Sequence, residues 1–192
     1  MNLPPTPSQT AGPYFHLGLT SKRSVSCMAG PKAKGERLRI LFRVHDGNNQ
    51  PVPDAMIEIW QANAEGKYKH PDDQQDKLED PELSGFGRME TDQNGACIFE
   101  TIKPGCVPAS DDDATMQAPH LNVSVFGRGI LKRLAARVYF AGDPANDIDP
   151  VLALVPNERR HTLFAQPVPE GKGEWVFNLH LCGEDETVFF EV

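Results

Sequence analysis

Alternating hydrophobic and polar residues, separated by turn-forming residues, predict a series of short β-strands. The run RLRILFRV at 37–44 alternates with a period of two, as in a strand with one buried face. The turn sequences DGNNQ and DQNG follow two such runs and favour hairpins. Predicted strands cover 37–44, 55–61, 87–91, 97–102, 119–126, 136–140, 174–181 and 187–192. Short strands in this number predict an all-β fold, a β-sandwich of short antiparallel strands.

Two stretches interrupt the strand pattern and predict one or two short helices in connections. They are 149–155 and 157–165, and the second begins just after a proline in PNERRHTLFA. A chain of 192 residues that is 39% hydrophobic suits one domain, which we place at 1–192. The 17 prolines and 16 glycines are typical of a loop-rich β-protein.

Residues 1–36 show no clean hydrophobic period and predict an N-terminal arm. In TPSQTAGPYF, the Gly12-Pro13 step favours an extended or turn geometry. Tyr14 and Phe15 then supply aromatic rings that can dock on a neighbouring surface. The alternative is a frayed terminus.

Charge and composition narrow the classes of partner. The net charge is −8 and the pI is near 5.2, which argues against nucleic acid and against an anionic membrane. No apolar run approaches the roughly 18 residues of a membrane helix, and the start MNLPPTPSQ lacks the features of a signal peptide. Four cysteines without a CxxC pair indicate reduced thiols. We therefore expect a cytoplasmic protein.

One segment runs against the acidic balance. In GRGILKRLAARVYF, Arg128, Lys132, Arg133 and Arg137 occur without an intervening acid. The segment suits an anionic small molecule, and it equally suits a solvated basic face.

Polar residues in the stretch 101–128 resemble an incomplete metal site. Pro104, Gly105 and Pro108 predict a loop, because proline cannot donate to a strand ladder. In the alternating run that follows, His120 and Asn122 share one face of a strand. One strand can present two imidazoles at this spacing, but here the second residue is an asparagine. Tyr68, in WQANAEGKYKH, is either a ligand or a packing residue.

Eight segments together are similar to the intradiol ring-cleaving dioxygenases over nearly the whole chain. They are TPSQTAGPYF, IEIWQANAEGKY, FGRMETDQNG, TIKPG, APHLNVSVFGRG, RVYFAGDP, RRHTL and ETVFFEV. The resemblance implies an enzyme that opens a catechol with O₂ on a non-haem ferric ion. In that family, two tyrosines and two histidines hold the ion.

Position by position, the resemblance implies that half of these ligands are missing. Tyr68 and Val107 fall on the two tyrosines, and His120 and Asn122 fall on the two histidines. Valine offers no donor, and trivalent iron favours hard anionic oxygen ligands. We therefore expect no metal and no catalytic residue in this chain.

Some members of the family pair a metal-binding beta chain with a homologous alpha chain whose metal site has decayed, and this sequence resembles the alpha chain. The resemblance implies that the beta chain holds Fe³⁺ and that the substrates are an aromatic acid and O₂. It also implies that positions of this chain line the substrate pocket of the beta chain. These positions are Thr10, Gly12, Pro13, Tyr14 and Arg128.

Two other functions stay open at this point. One is a free-standing β-sandwich that binds an aromatic acid in a pocket of its own beside the decayed metal site. The other is a purely structural partner. An obligate subunit expressed alone would leave an apolar interface exposed, which discriminates it from the free-standing protein.

Overall fold

Ten strands form one continuous sheet and a small hairpin in a computed structural model that describes residues 9–109 and 115–191. The acidic run 111–113 and the predicted strand end at Val192 lie outside the described residues. The strands are β1 Arg37–His45, β2 Met56–Trp60, β3 Phe86–Glu90, β4 Ala96–Ile102, β5 Val107–Pro108, β6 Met116–Gln117, β7 His120–Phe126, β8 Leu134–Phe140, β9 Phe164–Pro167 and β10 Glu174–His180. One α-helix, α1, covers Pro13–Leu19, and 3-10 helices cover Pro144–Ile148, Leu152–Leu154 and Asn157–Leu163.

The eight strands of the main sheet are ordered β3-β2-β7-β8-β9-β10-β1-β4. β9 therefore joins the layer β3-β2-β7-β8 to the layer β10-β1-β4. The inner faces of both layers meet in one apolar cluster, as in a sandwich. Phe42 of β1 lies at its centre, with ring centroids 5.6 Å from Phe99 of β4 and 5.6 Å from Phe177 of β10. Full burial of one such side chain contributes about 1.5–3 kcal/mol. The predicted all-β sandwich is confirmed.

Two strand pairings are parallel, unlike the rest. β1 pairs with β10 and β8 pairs with β9 in parallel, while the other pairings between strands are antiparallel. Parallel neighbours need a long crossover, and these strands are joined by long connections that carry the 3-10 helices or several intervening strands. The turn sequences predict hairpins, and a hairpin joins antiparallel neighbours, so they could not predict these two parallel pairings.

Gly12 is extended, as the Gly12-Pro13 step predicts, and Pro13 then begins α1, because proline at the first position of a helix has no N–H to leave unsatisfied. Two other local predictions need correction. The predicted helix 157–165 ends as a 3-10 helix at Leu163, and β9 follows directly. The predicted strand 187–192 meets the sheet at a single bridge, Phe190 to Ala135. The ring of Phe189 packs on the apolar cluster around Phe42, and that of Phe190 packs on a second apolar cluster around Tyr139. Side-chain packing, rather than a ladder of backbone hydrogen bonds, therefore holds this segment.

The segment after α1 covers the two open edges of the sheet. Val25 bridges to Arg88 of β3, and Cys27 bridges to Glu100 of β4. Residues 25–29 therefore pair with both terminal strands, which leaves less unpaired backbone at the edges.

Candidate functional site

The alternation of β7 places polar side chains outside the core. Leu121, Val123 and Val125 are buried in the apolar cluster. His120 and Asn122 point to the opposite face, as the sequence pattern predicts. There they lie beside the phenol of Tyr68, whose oxygen is 3.5 Å from His120 Nε2 and accepts a hydrogen bond from Asn122 Nδ2 at 3.0 Å. Three of the four positions that the sequence resemblance matched to metal ligands thus meet around one hydroxyl.

His120 is a neutral imidazole in a fixed tautomer. Its Nδ1 lies 2.7 Å from the carbonyl oxygen of Ala118, which can only accept, so Nδ1 carries the proton. The lone pair of Nε2 then faces the Tyr68 hydroxyl. Burial and, second, the positive charge of Arg137 together lower the pKa of His120 to about 4.

Tyr68 is held as a neutral phenol. Its ring stacks on Trp60, with centroids 6.0 Å apart and planes 10° from parallel. Burial raises the pKa of its hydroxyl, because the charged phenolate would lose its hydration.

The fourth position, Val107, lies buried in β5 and offers only methyl groups. No group of three or more His, Cys, Asp or Glu side chains within 9–109 and 115–191 could hold a metal ion. The donor set of this chain, one neutral phenol and one imidazole, does not fit trivalent iron.

Asp149 and Tyr139, which the sequence did not indicate as site residues, hydrogen-bond to each other beneath this site. Asp149, 1% exposed, accepts hydrogen bonds from the Tyr139 hydroxyl at 3.1 Å and from the backbone N–H of Ala118 at 2.7 Å. It also accepts from the N–H groups of Val151 and Leu152. Burial, followed by the Asp149 charge, raises the pKa of Tyr139, which therefore stays protonated. Asp149 thus holds the backbone two residues before His120.

The basic segment does not form one face. Arg137 lies directly across the sheet from Asn122, and its guanidinium donates to the side chain of Gln117. It is therefore turned into the polar cluster around Tyr68. Lys132 lies near Glu191 at 3.9 Å on the exposed surface. Arg128 lies beside the arm, because the N–H of the next residue, Gly129, donates to Thr10.

An open cleft of about 760 Å³ adjoins Tyr68 and Val107. Three aspartates line it, Asp72, Asp73 and Asp76. Asp73 is within 3.9 Å of Lys67, while Asp72 lies 91% exposed beside His70. This charge disfavours an aromatic carboxylate in the chain's own cleft.

The arm and Arg128 form a second cluster at the far end of β7. The Thr10 hydroxyl accepts a 2.7 Å hydrogen bond from the N–H of Gly129, and the Phe15 ring lies 5.5 Å from that of Phe126. Phe126 ends β7 and His120 begins it, so the two clusters are about 20 Å apart at ~3.3 Å per residue. Arg128 is thus remote from the cluster of Tyr68, His120 and Asn122.

The side chains of this second cluster are available to a neighbour. The Arg128 side chain is 72% exposed and lies 3.4 Å from a carboxylate oxygen of Asp54, and Tyr14 is 86% exposed. A Cβ on Gly12 would meet no atom of the described residues within 4 Å, so packing inside this chain does not demand glycine there. Pro13 starts α1, none of whose residues is buried.

Comparisons with known proteins show the family and agree with the fold. A family model described as dioxygenase matches residues 10–183. The chain is 38% identical over 202 residues to the protocatechuate 3,4-dioxygenase alpha chain of Pseudomonas putida, covering 98% of this chain and 97% of that one. It is 37% identical over 158 residues to the protocatechuate 3,4-dioxygenase beta chain of Burkholderia cepacia, covering 80% and 67%. The solved dioxygenase domain of a carbohydrate-binding fusion protein from Streptomyces sp. SirexAA-E gives a TM-score of 0.61 at 22% identity, covering 94% and 99%, and supports the fold alone. No helix of the described residues is long and apolar enough to cross a membrane.

Proposed function

The chain belongs to the intradiol dioxygenase family, and on that premise we propose that it is the alpha, non-iron-binding subunit of a protocatechuate 3,4-dioxygenase. The assembled enzyme cleaves protocatechuate with O₂ to 3-carboxy-cis,cis-muconate in the cytoplasm. A homologous beta chain is the partner and holds the Fe³⁺. This chain shapes the substrate pocket of the partner and supports assembly.

One observation carries this proposal: the exposed guanidinium of Arg128 lies at the opposite end of β7 from the decayed metal position. The two ends of β7 are about 20 Å apart, so a substrate whose carboxylate is bound at Arg128 cannot react beside this chain's own Tyr68. If another chain completes the pocket, a substrate bound at Arg128 can react at a metal site of that chain. Family membership supplies the identity of that other chain, since relatives named alpha chain and beta chain both match this sequence.

Non-haem iron is the cofactor of this family and supplies the oxygen chemistry. The proposed task of this chain is to bind and orient. Arg128 presents paired N–H donors to the substrate carboxylate, a geometry that lysine cannot reproduce. Thr10, Gly12, Pro13 and Tyr14 form the adjoining wall of the pocket.

The alternative of a free-standing aromatic-acid binder has weaker support. Its binding site would be the cleft beside Tyr68, and the aspartates there oppose an anionic ligand. Titration of the isolated chain with protocatechuate should show no binding at millimolar concentration. Tight binding that is lost in Tyr68→Phe would favour the free-standing protein.

The experiment that tests the proposal is assembly followed by substrate comparison. Co-expressed with a catalytic beta chain, the protein should co-purify with it as an iron-containing, phenolate-coloured complex, while the isolated chain should contain no stoichiometric iron. In the complex, Arg128→Ala should lower kcat/KM for protocatechuate about 10- to 100-fold, since a charge-assisted hydrogen bond contributes about 1.5–3 kcal/mol.

Two controls make this result specific. Arg133→Ala removes an exposed arginine from the same loop and should leave kcat/KM unchanged. Catechol has the same reacting hydroxyls without the carboxylate, so its turnover should be little affected in Arg128→Ala. Equal losses for both substrates, with assembly intact, would leave Arg128 with a structural role only.

A further inference from the structure

The residue that carries the proposed carboxylate contact lies in a tight turn. The N–H of Ile130 donates to the carbonyl oxygen of Gly127 at 3.3 Å, so residues 127–130 form a β-turn with Arg128 and Gly129 at its centre. Gly129 has φ +83°, and Arg128 is not among the residues with positive φ. A positive φ at the third position alone defines a type II turn, which favours glycine there.

A type II turn differs from a type I turn by a flip of its central peptide, here the bond between Arg128 and Gly129. The flip reverses the direction of the Gly129 N–H. In this chain that N–H donates to the hydroxyl oxygen of Thr10 at 2.7 Å. The hydrogen bond is therefore made only in the type II form, and it stabilises that form against the flip.

The arm reaches this position because it is anchored at two points, one before the turn and one within it. The rings of Phe15 and Phe126 are 5.5 Å apart just before the turn, and Thr10 accepts from the N–H of Gly129 within it. Among residues 9–109 and 115–191, the ion-pair partner of Arg128 is Asp54, at 3.4 Å, and the two side chains are 72% and 48% exposed. Exposed ion pairs of this kind contribute about 0–1 kcal/mol, so they orient an arginine weakly.

We infer that Thr10 is a positioning residue for the substrate carboxylate: it holds the 127–130 turn in its type II form and thereby sets the direction of Arg128. The inference rests on the proposed function of Arg128. It gives Thr10 a task other than contact with the substrate, because its oxygen already accepts from the protein backbone.

The test compares Thr10→Val, which keeps the shape but cannot accept the hydrogen bond, with Thr10→Ser, which keeps the hydroxyl. In the assembled enzyme, Thr10→Val should lower kcat/KM for protocatechuate about 3- to 10-fold, the factor expected for one neutral hydrogen bond. The loss should lie in KM more than in kcat and should be confined to the carboxylated substrate. Thr10→Ser should restore most of it. Gln9→Ala, an exposed neighbour in the arm, is the matched control and should have no effect.

A double-variant cycle separates action through the arginine from direct contact. Added to Arg128→Ala, Thr10→Val should cost nothing further, because the group that it positions is gone. An undiminished loss in that background, or an equal loss with catechol, would overturn the positioning role. If Arg128→Ala itself fails to discriminate between the two substrates, the proposed function of Arg128 is wrong. If Arg128→Ala discriminates and Thr10→Val does not, only the present inference fails.

Hydrogen exchange gives a second readout that does not depend on catalysis. In Thr10→Val the amide of Gly129 should exchange faster than in the unmodified chain, while core amides such as that of Phe42 keep their rates. An unchanged rate at Gly129 would show that the hydrogen bond does not protect the turn and would overturn the inference.

Discussion

Asp149→Asn should be among the more destabilising single-atom changes in this protein. Oδ1 of Asp149 accepts from the Tyr139 hydroxyl and from the N–H groups of Val151 and Leu152, and Oδ2 accepts from the N–H of Ala118. An asparagine oxygen can replace Oδ1 and keep the three bonds on that side. Its NH₂ group then faces the Ala118 N–H, so a donor meets a donor in a buried site.

The magnitude follows from what is lost at Ala118. A hydrogen bond to a charged group contributes about 1.5–3 kcal/mol, and a buried donor left unsatisfied costs about 1–3 kcal/mol. These two quantities overlap, so we expect a loss of about 2–4 kcal/mol. For a chain of this size, that corresponds to a decrease in Tm of roughly 5–15 °C.

Thermal and urea unfolding of the purified variant measure this loss. Asp147→Asn, which makes the same chemical change at an exposed position in the preceding 3-10 helix, is the matched control and should stay within about 0.5 kcal/mol of the unmodified protein. A decrease below 1 kcal/mol for Asp149→Asn, or one equal to that of the control, would refute the reasoning. Tyr139→Phe should cost about 1 kcal/mol, because it removes only one of the four bonds.

The remaining predictions concern the decayed site and the arm. Burial lowers the pKa of His120 from 6.5 to about 4, so the unfolded chain binds a proton that the folded chain does not between these values. Stability should therefore fall by up to about 3 kcal/mol as pH decreases through this range, and His120→Gln should flatten this part of a urea-unfolding profile. Val107→Tyr with Asn122→His restores two donors, but metal analysis should still find less than one iron per chain, because Arg137 keeps a positive charge beside them. Adding Arg137→Gln should raise the iron content. Equal iron contents with and without Arg137→Gln would contradict this explanation. Removal of residues 1–14 should leave the free energy of unfolding within about 1 kcal/mol of that of the unmodified protein, since the described part of that segment adds no strand. In the complex, the same removal should lower kcat/KM for protocatechuate. An unchanged kcat/KM would exclude a functional role for the arm.

The strands with one buried face could be read directly from the sequence. In β1, Leu38, Ile40, Phe42 and Val44 are buried, as the period of two predicts. The same period placed His120 and Asn122 together on the outer face of β7. Side-chain direction in a strand depends only on position along the chain, so a single sequence carries this information.

The prediction that the metal site of this chain is incomplete rests on residue identity. Valine has no donor atom in any fold, and the segments that resemble the dioxygenases place Val107 at a ligand position. The neutral state of Tyr68 and His120 was not available in this way, because it results from burial of both groups in the folded chain.

The elements that the sequence could not predict depend on partners distant along the chain. β9 is a strand because Tyr139 and Trp175 lie on either side of it, and its own four residues show no strand period. Asp149 resembles any turn aspartate until the fold brings Ala118 and Tyr139 to its two oxygens, 31 and 10 residues away. Local patterns determine which face of a strand is buried, whereas contacts across more than a hundred residues, such as that of Thr10 with Gly129, exist only once tertiary packing has brought the two segments together.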